Sequence, residues 1–181
     1  MPRPLLFALS LIASLTMVAA AVAQPKRMTT PIVVVTLAKG GQFELELWPA
    51  DAPNHVKNFL ELARKGFYDG QRVHRVEPGF VVQFGDPQSK TLPLDHPAMG
   101  TGGPGYTIKA EFNKRPFERG VLGMARAGDP NSAGSQVYIM LGSAPRLNGN
   151  YTAFGRVVRG MDVVDGIKVG DRITSVRLAD R

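Results

Sequence analysis

Apolar residues in this chain fall into short runs broken by glycine and proline, with one long apolar run at the N-terminus. Ile32 to Leu37 is continuous and rich in β-branched residues, the pattern of a buried strand. After the turn signal Lys39-Gly40-Gly41, Phe43, Leu45 and Leu47 alternate with Gln42, Glu44 and Glu46. That period of two predicts a strand with one wet face, and the two segments together predict a hairpin. Val56, Phe59, Leu60 and Ala63 then recur at i, i+3, i+4 and i+7, which predicts a helix. Its first turn holds Pro53, with Asp51 as cap, His55 on the polar face, Arg64 and Lys65 in the last turn, and Gly66 as the stop. A second, short helix is predicted over residues 161–167. The other apolar runs, 73–76, 80–84, 120–124, 137–141, 154–158 and 172–178, read as strands, as does Tyr106-Thr-Ile-Lys. A mostly β pattern with helices in two places favours a barrel or sandwich with attached helices.

Composition sharpens this picture. The 181 residues include 20 Gly and 14 Pro, which suits many tight turns in one domain of ordinary size. No internal repeat or low-complexity stretch interrupts it. Arg3, an apolar run from Leu5 to Val18, and Ala21-Val22-Ala23 before Gln24 have the layout of a cleavable secretory signal. The alternative is an uncleaved anchor helix over the same run. The expected organisation is a signal over 1–23, a flexible leader over 24–31 and one domain over 32–181. The chain has no Cys, which excludes disulfides, thiol nucleophiles and Cys-ligated metals. A formal charge of +7 is dispersed with no basic run longer than two, so a nucleic-acid partner is not expected.

Several motifs dissolve on inspection. Gly100-Thr-Gly-Gly-Pro-Gly105 formally matches G-x-G-x-x-G, but no strand leads in, no helix follows, and Pro104 sits inside the cradle. A surface loop built on glycines is the better reading. His55, His74 and His96 show no metal-ligand spacing, so no metal is expected. Ser135 lies outside any nucleophile elbow and has no evident base. The sequon Asn150-Tyr-Thr152 is a weak match. Read from the residues alone, Arg75 beside Val76 is a surface charge more often than a catalyst, and Gln83 breaks an apolar run.

An ordered series of pieces carries a resemblance. It comprises Pro53-Asn-His-Val-Lys-Asn-Phe-Leu60, Gly66-Phe-Tyr-Asp-Gly70, His74-Arg75-Val-Glu-Pro-Gly-Phe80 and Gln83-Phe-Gly-Asp86. Gly100-Thr-Gly-Gly103, Ser132-Ala-Gly-Ser-Gln136 and Phe154-Gly-Arg-Val157 complete it. With these the sequence resembles the cyclophilin family of peptidyl-prolyl isomerases, most of all its exported bacterial members, from about Ile32 to Leu178.

The resemblance implies a closed eight-stranded antiparallel barrel capped by two helices. It also implies isomerisation of Xaa-Pro bonds without a cofactor, in unfolded or partly folded exported clients, by a monomer in the periplasm, with secretion as the second choice. It places the catalytic guanidinium at Arg75 and the proline pocket on Phe80, Val81, Tyr138 and Leu147. Gln83, the backbone around Ala125 and Arg126, and Gln136 would hold the substrate chain, with Tyr151 at a substrate-binding position. A competing reading from another class is a proline-binding module that kept the fold without catalysis.

Four positions depart from the family pattern, one of them Tyr151, which stands where His is common. Tyr138 stands where Phe is usual, so its hydroxyl needs water or a partner. Arg146 replaces a Trp that in many eukaryotic members helps hold cyclosporin, which implies weak drug sensitivity. Val81 replaces a common Met and shortens one pocket wall.

Overall fold

The computed structural model describes residues 30–179; the expected signal and all of the expected leader except Thr30 and Pro31 lie outside them. Among the described residues no helix is long and apolar enough to cross a membrane. The β-branched run forms β1 (Ile32–Leu37), which pairs antiparallel with β2 (Gln42–Leu47) in the expected hairpin. Helix α1 (Pro53–Arg64) follows, and beyond it come β3 (Arg75–Glu77), β4 (Val81–Phe84), β5 (Val121–Met124) and β6 (Val137–Met140). The chain ends with β7 (Ala153–Arg159), α2 (Met161–Asp165) and β8 (Ile173–Leu178).

One antiparallel sheet of eight strands results, in the order β3-β4-β6-β5-β7-β2-β1-β8. It is an open, curled half-barrel rather than the closed barrel expected. The reason lies at its two ends. β3 has only three residues, and β8 reaches across to the chain before it through a single isolated bridge, Arg72 to Arg172. Four backbone bonds of 2.8–2.9 Å reinforce that seam, joining Gly70 and Gln71 to Ile173 and Val73 to Gly170 and Asp171. The chain leaves this pairing before β3 begins, so the ladder never runs the length of both edges.

Inside the curl, Val33, Val35, Phe43, Leu45, Leu122, Ile139 and Phe154 form a fully buried core with Phe59 and Ala63 of α1. At about 25 cal/mol per Å² of apolar surface removed from water, such burial is the main force holding the sheet in its curl. The predicted wet face of β2 is partly covered, because Arg156 and Arg159 of β7 lie over Glu46 and Glu44 at 3.5 and 3.3 Å.

α1 shows where local pattern reading fails. Its apolar stripe is buried as expected, and Gly66, with φ of +66°, takes the left-handed turn that ends it. Asp51, however, does not cap it, since its carboxylate is held by Arg115 at 2.8 and 2.9 Å. Glu111 caps the helix from far along the chain, accepting the Asn54 and His55 amides at 3.0 and 2.9 Å. The same carboxylate accepts His55 Nδ1 at 2.6 Å, so His55 is fully buried rather than on a wet face.

Smaller differences are local. α2 stops at Asp165, short of the predicted 167, and Tyr106-Thr-Ile-Lys forms no strand, only one bridge between Ile108 and Ala133. Two 3₁₀ turns, Pro87–Lys90 and Pro145–Leu147, were not predicted; both begin with proline, whose missing N–H is harmless in a first turn.

Candidate active site

A second apolar cluster, built on Val81, Phe117, Tyr138, Met140 and Leu147, floors a depression on the sheet. This hollow of about 260 Å³ is lined by Arg75, Phe80, Val81, Gln83 and Ala125, together with Arg126, Tyr138, Arg146, Leu147 and Tyr151. Every expected site residue except Gln136 is therefore on one surface. Gln136 lies in an adjoining hollow of about 520 Å³ that shares Gln83, Ala125 and Arg126 with the first.

Strand register explains the assembly. Arg75 faces Gln83 across the β3–β4 pair, and Gln83 faces Tyr138 across β4–β6, which lines up three side chains from distant parts of the sequence. Arg75 Nη1 donates to Gln83 Oε1 at 2.9 Å, while its Nε and Nη2 donate to Glu77 Oε1 at 2.9 and 2.5 Å. The guanidinium is thus gripped on two edges while remaining substantially exposed, and N–H groups are left over for another acceptor. Gln83 Nε2 donates in turn to Gln136 Oε1 at 2.9 Å.

The glycine loop terminates this relay. Gln136 Nε2 donates to the carbonyls of Gly100 and Gly102 at 2.9 and 2.8 Å. The loop's own amides point the other way, into Asp86, whose Oδ2 accepts Gly100 N at 2.6 Å and Gly102 N at 3.2 Å. Asp86 is fully buried and also caps the first 3₁₀ turn through Gln88 N at 2.8 Å. Gly100 to Gly105 therefore cradles a carboxylate of its own chain, which accounts for its phosphate-loop appearance. Only glycine fits at 102, because a Cβ there would stand 2.1 Å from Asp86 Oδ1.

Tyr138 packs between Phe117 and Tyr151, with ring centroids at 5.9 and 6.1 Å, and lies flat over Gly123, where a Cβ would meet the ring at 2.4 Å. Burial pushes its phenol up, and among the described residues the hydroxyl finds no hydrogen-bond partner. His74, next to Arg75, is held below the ordinary imidazole value, chiefly by burial, with the Asp86 charge acting in opposition. Among the described residues no cluster of three or more His, Asp or Glu is arranged to hold a metal.

Sequence reading overlooked Glu77, Asp86 and the reach of Arg146. Glu77 was findable, since i and i+2 share one face of a strand and bring it onto the Arg75 side. Asp86 carried no local signal, because its partners lie fourteen and sixteen residues on.

A hollow with an apolar floor, an anchored guanidinium and amide groups beside it make a site with room for a short apolar group. The comparisons with known proteins give it a family. Residues 32–180 match the cyclophilin type peptidyl-prolyl cis-trans isomerases. A probable peptidyl-prolyl cis-trans isomerase of Brucella suis is 49% identical over 140 residues, covering 76% of this chain and 71% of the relative. Peptidyl-prolyl cis-trans isomerase B of Bacillus subtilis is 44% identical over 144 residues, covering 78% and 94%. A cyclophilin type isomerase crystal structure from Cryptosporidium parvum superposes with a TM-score of 0.73 at 27% identity, over 84% of this chain and 99% of that one. The same protein was also crystallised in the presence of the dipeptide Ala-Pro, with a TM-score of 0.71 at 28% identity over 83% and 99%. The chain belongs to the cyclophilin family and is a peptidyl-prolyl cis-trans isomerase.

Proposed function

We propose that this enzyme rotates Xaa-Pro bonds in exported polypeptides, assisting their folding in the periplasm, with Arg75 as the catalytic group. The observation that carries the catalytic assignment is the anchored Arg75 guanidinium beside the proline-sized apolar hollow. Rotation about a peptide bond crosses roughly 18–20 kcal/mol because resonance gives C–N double-bond character. No bond is broken, so the site needs only to bind the twisted amide better than either planar form. As the bond twists, the prolyl nitrogen regains a lone pair and accepts a hydrogen bond. Arginine suits that acceptor because it holds its protons at any working pH. Phe80, Val81, Tyr138 and Leu147 grip the ring, while Gln83, Gln136, Tyr151 and the backbone at Ala125 and Arg126 hold the chain to either side.

Export rests on the Arg3, apolar-run and Ala21-Val22-Ala23 layout. The protein acts as a monomer on proline-containing unfolded segments, with secretion as the second location. Exchange NMR on an Ala-Pro peptide tests catalysis. Arg75→Ala should lower kcat/KM by about 100-fold, the scale of losing one fixed donor to a developing charge, and equal rates would overturn the assignment. N-terminal sequencing of protein from a periplasmic fraction should begin at Gln24; an intact Met1 there would overturn cleavage.

A further inference from the structure

We infer that the isomerase is selective for charge, favouring prolines flanked within a residue or two by an aspartate or glutamate. This rests on the isomerase reading of the hollow and names the substrate class within it. Three arginines line the depression, and the aromatic rings place them. Arg146 lies 4.4 Å above the Phe80 ring, and Arg126 lies 4.5 Å above Tyr151. Arg75 approaches Phe80 at 5.8 Å.

Elsewhere among the described residues most arginines are ion-paired, though Arg64, Arg72 and Arg172 are not, and in the hollow two of the three are without a carboxylate. Arg115, Arg119, Arg156, Arg159 and Arg177 are each ion-paired with an Asp or Glu. At the hollow, the single lining-strand acid, Glu77, is engaged with Arg75. Arg126 bonds only carbonyl oxygens, those of Ala127, Gly128 and Asn150, which fix its position without cancelling its charge. Among the described residues Arg146 has the Phe80 ring as its neighbour and no carboxylate partner.

A guanidinium stacked on a ring has its face covered and its N–H groups directed outward in the plane, without a carboxylate partner in Arg146 but given to carbonyls in Arg126, which acts as a fixed charge. That geometry is pre-organised for a carboxylate and repels an ammonium. The two stacked cations stand over different rings of the same hollow, so an acid beside a bound proline has a cation close by to meet. Attraction of Glu and repulsion of Lys act in opposite directions, which doubles the contrast a single charge would give.

The test is exchange NMR on pentapeptides carrying Glu, Gln or Lys immediately before, or immediately after, one proline, each rate divided by its own uncatalysed rate. At about 0.02 M salt, kcat/KM for Glu should exceed that for Lys by about tenfold on at least one side, from a few exposed-pair contributions acting together. The ratio should fall toward one at about 0.5 M salt, where screening shortens to a few ångströms. Arg146→Gln or Arg126→Gln should reduce it about threefold, whereas Arg64→Gln, which removes the same charge from exposed α1 surface, should not. Equal rates for Glu and Lys peptides, with the Gln peptide isomerised, would overturn charge selection and leave the isomerase intact. An equal effect of Arg64→Gln would trace the ratio to net charge and overturn the local site. No acceleration of any peptide would remove the isomerase reading and this inference with it.

Discussion

Arg75 and Gln83 are hydrogen-bonded partners across the β3–β4 pair, with Nη1 donating to Oε1 at 2.9 Å. The orientation of the Gln83 amide is set from behind by Gln136, and that of Gln136 by the carbonyls of Gly100 and Gly102. The guanidinium is therefore the last member of a relay that starts in a loop. Gln136→Leu cuts it without touching Arg75. It should lower kcat/KM by about tenfold, the scale of one lost hydrogen bond, and lower Tm as well, because Gln83 and the Gly100 and Gly102 carbonyls lose their buried partner. An unchanged kcat/KM would show that Gln83 orients Arg75 unaided.

The other end of the relay is Asp86. Gly102→Ala places a methyl where Asp86 Oδ1 now sits, so the carboxylate has to leave its buried cradle. We expect a loss of about 1–3 kcal/mol, the cost of disturbing buried hydrogen bonds to a charged group, together with reduced activity. Denaturant melts with parallel rate measurements would check both.

Tyr138→Phe removes a buried hydroxyl that has no partner on the protein and keeps the ring against Phe117 and Tyr151. Stability should rise by about 1 kcal/mol, raising Tm by roughly 2–4 °C for a domain of this size. A lower Tm would mean that the hydroxyl is satisfied in solution.

Acid should weaken the fold in two stages. Burial holds both His55 and His74 below the ordinary value of 6.5. Just below that pH an unfolded chain takes up protons on these rings and the folded chain does not, so stability is complete above it and falls as pH drops. Glu111 adds a later loss. Burial raises its carboxyl, but the Asn54 and His55 amides and the His55 ring outweigh that and hold it below the ordinary 4.5. Its contribution is present above that value and disappears beneath it. Scanning calorimetry should give a lower Tm at about pH 5.5 than at about pH 7.5, and a steeper fall below about pH 4.5; a flat profile would contradict the burial of the histidines.

Cyclosporin should bind weakly if, as the resemblance implies, Arg146 stands at the position of a drug-holding Trp; its guanidinium lies over the Phe80 ring. Arg146→Trp should tighten binding by about tenfold, the value of one buried aromatic contact, as measured by calorimetric titration. Nanomolar inhibition of the unaltered enzyme would contradict this.

The strands and the apolar stripe of α1 were legible in the sequence because period-two and period-3.6 patterns are local. That Arg75, Phe80 and Gln83 come together in one hollow was legible only through the family pieces, since nothing local sets Arg75 apart from any other exposed arginine. Glu111 as the α1 cap was not legible, because it depends on a carboxylate 56 residues beyond the His55 it contacts. Sheet closure was hidden for a similar reason, since it is decided by how the two ends of the ladder meet. The glycine loop was rightly read as no nucleotide cradle, yet its formal match has a physical cause, because amides arranged around an anion look alike in sequence whether that anion is a ligand or Asp86.

The seam between the ends of the curled sheet also bears on how the sheet meets other chains. Any extended chain carries unpaired backbone groups, and a long bare strand margin would offer it a template for lateral addition. Here one margin is three residues long and displays Arg75 and Glu77, and part of the other is occupied by residues 70–73. The half-barrel thus leaves little bare edge for another chain to extend, although its ends never close into a full ladder.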